Sequence, residues 1–366
     1  MAEHTEDYEW RGEGEGAEIV LFAPAESFAD PAIERALPAA RLPGIESPMY
    51  VATSSEGFGW VAVSYTHAAP ELASAPRRGV LIVAEAAVED LEVSSGEILL
   101  VLLRSLSETR LPRMDEAGVR RICEAGAMAA AEDALIEEED LDLFGAMDGD
   151  PDTVGRRAIF AGTRDWGIQP QELRLAAVEE TFDADSAGEL GLRPGTLAIV
   201  LDVGAGDLGR LALAAHRDRI ANRDFGEEGV SAAPLGTEEA EDLMAALRVA
   251  ANFADGRAAL LVHALRRAMG GVAGGLETRA AWRVGGIEES GGLLVHRNGL
   301  AAAGVEEVIL SGGSVAAGTG NMFGSAPPFG ATEDDGEWPW EEAGLLERWA
   351  RLDLSLIHIS EPTRPY

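Results

Sequence analysis

Leu197-Ala198-Ile199-Val200-Leu201-Asp202-Val203-Gly204-Ala205-Gly206-Asp207-Leu208-Gly209 is the stretch on which the fold class turns. Its first seven residues are almost continuously apolar, a pattern suited to a strand covered on both faces. Three glycines at Gly204, Gly206 and Gly209 then lead into a helical segment, Arg210 to Ile220, which carries His216. A strand, a glycine turn and a helix in that order can bring a pyrophosphate against a helix N-terminus, with Asp224 near the distance of a ribose-binding acid. A doubly wound sheet would repeat strand and helix on either side of this unit. Here strands and helices mix without strict alternation, which points to an α+β domain instead. With 43 glycines in the chain, a Gly-x-Gly-x-x-Gly match also arises easily by chance. Dinucleotide binding through Gly204 to Gly209 stands as one alternative function.

Downstream of that stretch, the clearest element is Thr237 to Met269. It has a threonine cap, acids in the first turn, apolar residues at Leu243, Leu247, Ala250, Ala254, Leu261 and Leu265, and Gly270-Gly271 as a stop. Leu173 to Val178 reads as a strand and Asp152 to Ala161 as helical. Asp115 to Glu139 reads as one long alanine-rich helix, and Ser95 to Arg104 as another helix. Further upstream, Ala17 to Phe22, Pro48 to Thr53, Trp60 to Tyr65 and Val80 to Ala84 read as strands. Phe28 to Leu42 has helical spacing ended by Pro43 and Gly44. Downstream, Gly292 to His296 and Val305 to Leu310 read as strands between glycine-rich loops.

The 366 residues are long enough to bury a large core, and 46% are hydrophobic. Lys+Arg total 29 against 64 Asp+Glu, a formal charge of −35, and every basic residue is arginine. A bare nucleic-acid clamp is disfavoured, because phosphate backbones are bound through clustered positive charge. One cysteine, Cys123, excludes an internal disulfide and any multi-cysteine zinc site, so a reducing cytoplasmic setting is expected. No apolar run reaches the roughly 18 residues of a membrane span, and no membrane partner is expected. Residues 1–16 read as a disordered acidic leader, and 17–353 as one large domain. Residues 354–366 resemble sequencing-adapter read-through and are set aside, which implies a C-terminally truncated domain.

Isolated chemistry-bearing residues mostly have plain structural readings. Asp148, Asp150 and Asp152 alternate like the start of a calcium loop, but Ile159 stands where the closing glutamate belongs, leaving a solvated acidic loop. Cys123 beside Ile122 reads as a small buried hydrophobe. No two of the six histidines share helical ligand spacing. His263 reads as a core histidine on the long helix and His296 as a turn residue at a strand end. Asp202 is either a loop cap or a site carboxylate.

The collinear order of several fragments resembles the RtcB family of RNA ligases. Leu42-Pro43-Gly44-Ile45 with Gly57-Phe58-Gly59 is similar to that family's LPGI…GYG segment. Phe182-Asp183 through Gly191-Leu192 and Gly195 to Gly209 is similar to its FD…GL…G…HTGSRGLG stretch. Ala250 to Ala254 is similar to its AANFA helix, and Val295-His296-Arg297-x-Gly299 to its VHRKG strand.

The resemblance implies one large α+β domain with mixed or antiparallel sheets packed against helices. It also implies joining of RNA 3′-phosphate to 5′-hydroxyl ends with GTP and manganese, the metal held by an aspartate, a thiolate and three histidines. A further histidine would take GMP covalently. In this chain those positions carry other residues. Ala75 and Arg78 stand for the aspartate and thiolate. Gln171, Asp202 and Trp282 stand for the ligand histidines, and Phe329 for the nucleophile. Arg174 replaces an acid that holds guanine. Neighbouring positions offer only His67. Phenyl and indole rings neither ligate Mn²⁺ nor form a phosphoramidate, and an arginine repels a cation.

The resemblance thus implies a member without catalysis or resident cofactor, in which nucleotide or RNA would bind weakly. Ser314 and Thr319, in a glycine-rich loop similar to the family's GSMGTAS, are the candidate nucleotide contacts. Arg77-Arg78 and Arg266-Arg267 are small basic spots. The alternative in the enzyme class is an active ligase with differently placed ligands. Oligomeric state is not legible.

Overall fold

The computed structural model describes residues 8–12, 17–23, 29–41, 45, 49–54, 57–87, 114–133, 136, 141, 144, 147–166, 172–181, 187–188, 190–222, 231–269, 275–290, 293–302, 311–312 and 352–356. The strands are β1 (Tyr8–Gly12), β2 (Ile19–Ala23), β3 (Met49–Ser54), β4 (Gly57–Ser64), β5 (His67–Ala68), β6 (Arg77–Ala87), β7 (Leu173–Thr181), β8 (Thr196–Gly204), β9 (Ala233–Pro234), β10 (Leu276–Ser290), β11 (Leu293–Ala302), β12 (Ser311–Gly312) and β13 (Leu352–Leu356). The helices are α1 (Ala29–Ala40), α2 (Glu116–Ala125), α3 (Ala127–Glu132), α4 (Gly155–Asp165), α5 (Gly206–Ala221) and α6 (Glu238–Met269). The chain is a mixed α+β protein. None of the described helices is long and apolar enough to cross a membrane.

Eleven strands form one sheet in the order β1-β2-β3-β4-β11-β10-β6-β8-β7-β13-β12, while β5 and β9 pair separately. Pairing is antiparallel except at β2·β3 and β12·β13. The decisive stretch becomes β8, deep in the sheet between β6 and β7.

Alternation along β6 and β8 sends side chains to two cores. Val80, Ile82, Leu197, Ile199, Leu201 and Val203 face the helices, where they meet Val119 and Ile122 of α2, Ile159 of α4, Leu208 of α5 and Phe253 of α6. Leu81, Val83, Ala198 and Val200 face the other way, toward Val178, Leu190, Leu192 and Trp282. A third core lies under α1, with Ile19, Met49, Val51 and Trp60. The 32-residue α6 is buried around most of its circumference, as expected of a central rather than a surface helix. Its start is capped by Thr237, whose Oγ1 accepts the Ala240 N–H at 3.4 Å.

Several expectations need correction. The long helix expected over Asp115 to Glu139 is two helices, because Gly126 adopts φ +58°, a left-handed conformation that ends α2 and turns the chain. The sequence marks only five residues of β6, since arginines and alanines at its ends hide the period. The 15-residue β10 has no sequence signature: its charged, glycine-containing sequence gives little apolar alternation, yet it bridges β6 and β11. Tyr8–Gly12, inside the expected disordered leader, pairs with β2, and alternating Tyr8 and Trp10 supply a reason. Leu352–Leu356, partly in the tail set aside above, pairs with β7. His296 is not at a turn but inside β11, fully buried, and its Nε2 accepts the Ala69 N–H at 3.0 Å. The segments read at 95–104 and 305–310 lie outside the described residues.

Candidate functional site

Three of the positions singled out from the sequence, Arg78, Asp202 and Trp282, lie where β8, β6 and β10 run side by side. Asp202 is opposite Gly79, and Gly79 opposite Trp282; one residue along, Val203 is opposite Arg78, and Arg78 opposite Arg283. Residues in one such row share a face of the sheet, and adjacent rows alternate. Asp202 and Trp282 therefore lie on one face, and Arg78 with Arg283 on the other. Trp282 lies directly over Gly79, where a Cβ would stand 1.8 Å from its indole. Only glycine fits there. Asp202 pairs diagonally with Arg77, Oδ1 to Nε 3.3 Å. Ala75 precedes β6 and packs toward α5: a Cβ on Gly209 would lie 3.2 Å from its own.

On the helix-facing side, buried Arg78 donates through Nε to Asp255 Oδ1 at 2.7 Å and through Nη2 to Oδ2 at 3.1 Å. Its guanidinium lies 5.5 Å from the centroid of the Phe144 ring. Arg283 Nη2 reaches the same Asp255 Oδ2 at 3.3 Å. A fork-to-fork arginine–carboxylate pair is among the strongest polar contacts a protein makes. These groups do not fit the manganese implied by the resemblance. Transition ions take lone pairs from imidazole, thiolate or carboxylate, whereas a guanidinium and an indole offer none, and the buried carboxylate of Asp255 is committed to arginines. Among the described residues no three His, Cys, Asp or Glu side chains are grouped to hold an ion. Cys123 is deep in the helix-side core, where burial pushes its thiol up to about 12. His67 hydrogen-bonds Thr66 through Nδ1 at 2.7 Å. Gln171, Arg174, Ser314, Thr319 and Phe329 fall on residues, or side chains, outside the described set.

The chain matches no family model and no curated protein.

The glycine unit folds locally as its sequence suggests: β8, a turn with Gly206 at φ +57°, then α5. The N-terminal amides of α5 are nevertheless engaged. Asp165, at the end of α4, accepts the Leu208 N–H at 3.2 Å and that of Asp207. Burial pushes its carboxyl up more than those donors pull it down. A Cβ on Gly206 would lie 2.5 Å from Asp165 Oδ2. The protein's own carboxylate thus stands where an anion would meet the helix dipole. Just before the turn, the Gly204 peptide is clamped on both sides. Its N–H donates to Glu172 Oε1 at 3.2 Å, and its carbonyl accepts from Arg257. Arg257 also forks onto Glu172 at 2.8 and 2.9 Å. Asp224 lies outside the described residues.

The sequence motifs do not single out Glu172, Asp255 or Arg257, and Asn252 enters only within the fragment Ala250 to Ala254. All four are buried. Asn252 Oδ1 accepts the Met147 N–H at 3.1 Å, while its amide donates to the Cys123 and Glu124 carbonyls at 3.0 and 3.2 Å and to that of Met147. The available signal was three polar residues, Asn252, Asp255 and Arg257, inside the most apolar part of α6, where each must find a partner. Asp150 and Asp152 do local work: Asp150 Oδ1 accepts the Asp152 N–H at 3.0 Å, and Asp152 pairs with Arg120 at 2.6 Å. Two clefts share Met147 as a wall. One, about 450 Å³, lies along α2 and α3 beside Met128; the other, about 440 Å³, separates α6 from β10.

Proposed function

We propose that this is an RtcB-like protein of one large α+β domain in which the ligase chemistry has been lost, leaving a binding or regulatory role toward nucleotide or RNA. The observation that carries the reading is the buried pair of Arg78 with Asp255. The residue in the thiolate position is a cation, and its charge is neutralised by an internal carboxylate rather than left available to a ligand. Trp282 over Gly79 adds support: the imidazole position holds an indole packed against backbone. Loss of a metal set is loss of a mechanism, because the ion both polarises phosphoryl oxygen and orients the reactants. Arginine-only basicity and a −35 charge suit weak RNA contact. The single buried thiol suits a reducing cytoplasm.

The test is incubation with radiolabelled GTP and Mn²⁺, followed by denaturing electrophoresis, alongside an RNA pair ending in 3′-phosphate and 5′-hydroxyl. The expected result is neither a protein–GMP adduct nor a joined RNA. A covalent adduct would overturn the reading and favour an active ligase whose ligands lie at other positions.

A further inference from the structure

The cleft of about 440 Å³ between α6 and β10 is of a size that takes small ligands, at the lower end of the roughly 300–1,000 Å³ range. Met244, Leu247, Arg248 and Ala251 form its helix wall; Arg283 and Gly285 to Glu289 form its strand wall; Pro76 and Met147 close it. Four of these residues are charged, and two are committed. Arg283 is held by Asp255, and Glu288 lies 3.5 Å from buried Arg297. The remaining two, Arg248 and Glu289, have opposite charges, stand on opposite walls, and engage no side-chain partner among the described residues. Between them lies an apolar lining that includes two methionines, Met147 and Met244, whose unbranched thioethers adapt to varied shapes.

The backbone fixes these walls. Gly285 and Gly286 adopt φ +75° and +91° at a register shift in β10, and the Gly286 N–H is tied to the Ser74 carbonyl at 3.0 Å. A Cβ on Gly285 would lie 2.3 Å from Ser74 Oγ. The bulge therefore re-aims β10 next to the cleft, a common use of bulges beside binding sites. Met147 is held in place by the buried Asn252 amide. The cleft is thus built from fixed parts.

We infer that the α6–β10 cleft binds a free α-amino acid with an apolar side chain, its carboxylate on Arg248 and its ammonium on Glu289. An arginine fork matches the planar carboxylate, a lone carboxylate suits an ammonium, and the methionine-lined space takes the hydrocarbon. This inference does not depend on the lost-ligase reading: it uses residues on the helix-facing side of β10 and no metal or nucleotide.

The experiment is equilibrium dialysis of the full chain with radiolabelled L-leucine, repeated in competition with L-methionine, 4-methylpentanoate, isoamylamine and GMP. Saturable leucine binding is expected, with displacement by methionine and at least tenfold poorer displacement by the two analogues that lack one charge. Arg248→Ala is expected to weaken leucine binding at least tenfold, and Glu289→Gln several-fold. Met244→Trp, which fills the cleft, should abolish binding. Arg210→Ala, at an exposed pair with Asp207 near the start of α5 and outside the cleft lining, should leave it unchanged, and circular dichroism establishes that each variant is folded. Any of three results overturns the inference: no retention of leucine up to about 10 mM, a range where even weak complexes register; equal retention by folded Met244→Trp; or displacement by GMP or 4-methylpentanoate as effective as by methionine.

Discussion

At the scale of single residues, the buried charges are the strongest constraint. Arg78 and Asp255 have side-chain exposures of 6% and 1%. Removing one partner of such a pair leaves the other charged in a poorly solvated site, a loss of about 3–5 kcal/mol. Asp255→Ala should therefore lower stability by that amount in urea unfolding, and more than Arg283→Ala, because Arg283 is partly exposed and can turn to solvent. The double variant Arg78→Met, Asp255→Leu should recover most of the loss. If Asp255→Ala costs under about 1 kcal/mol, the pair does not hold β6 to α6. His296 sets a second test. Burial pushes its imidazole down to about 4, against an ordinary 6.5, and burial also lowers His216, whose Nε2 donates to the Thr153 carbonyl at 3.0 Å. The unfolded chain then takes up protons that the folded one refuses. Stability from His296 is complete above about pH 6.5 and falls as pH drops toward 4. His296→Gln should flatten that fall in unfolding curves measured from pH 7 to 4; an unchanged slope would count against it.

At the scale of elements, Gly126 and Asn252 explain why α2 and α3 are two helices and how they dock. Gly126→Ala would place a side chain at φ +58°, with its Cβ 3.4 Å from Asn252 Oδ1, so strain rather than collision dominates. A loss of about 1–2 kcal/mol is expected. Asn252→Ala strands three carbonyls and one amide and should lose more, about 2–4 kcal/mol. Comparable midpoints for the two variants in chemical denaturation would refute that ranking. This element also marks the limit of what sequence could disclose. One glycine in an alanine-rich run is compatible with an unbroken helix, and the residue that stabilises the break is distant in sequence. Strands with a concentrated apolar run, such as Leu197 to Val203, were readable, and so was α6 from its cap and period. β10 was not, because arginines, glutamates and glycines interrupt its apolar alternation and a bulge shifts its register. The convergence of Arg78, Asp202 and Trp282 was legible only through a resemblance; their division between two faces needed the register.

At the scale of the molecule, 64 acidic groups surround 29 arginines, and the charge balance opposes compaction. Two kinds of electrostatics respond oppositely to salt. Exposed pairs such as Arg120–Asp152 and Arg121–Asp133 contribute little and weaken as ions screen them. The surplus repulsion is also screened, since the Debye length shrinks from about 10 Å at 0.1 M to about 3 Å at 1 M. Buried pairs, Arg78–Asp255 and Arg257–Glu172, change little because ions do not reach them. Repulsion among 35 surplus charges outweighs a few weak surface attractions, so raising KCl from 0.05 to 1 M should stabilise the chain. A gain of about 2 kcal/mol corresponds to a rise of roughly 2–3 °C in Tm for a chain of this length. Scanning calorimetry in KCl, with sucrose at matched osmolality as the uncharged control, separates screening from general solute exclusion. A Tm that falls with KCl would mean that surface pairing, not the acidic surplus, governs the charge balance of the folded state.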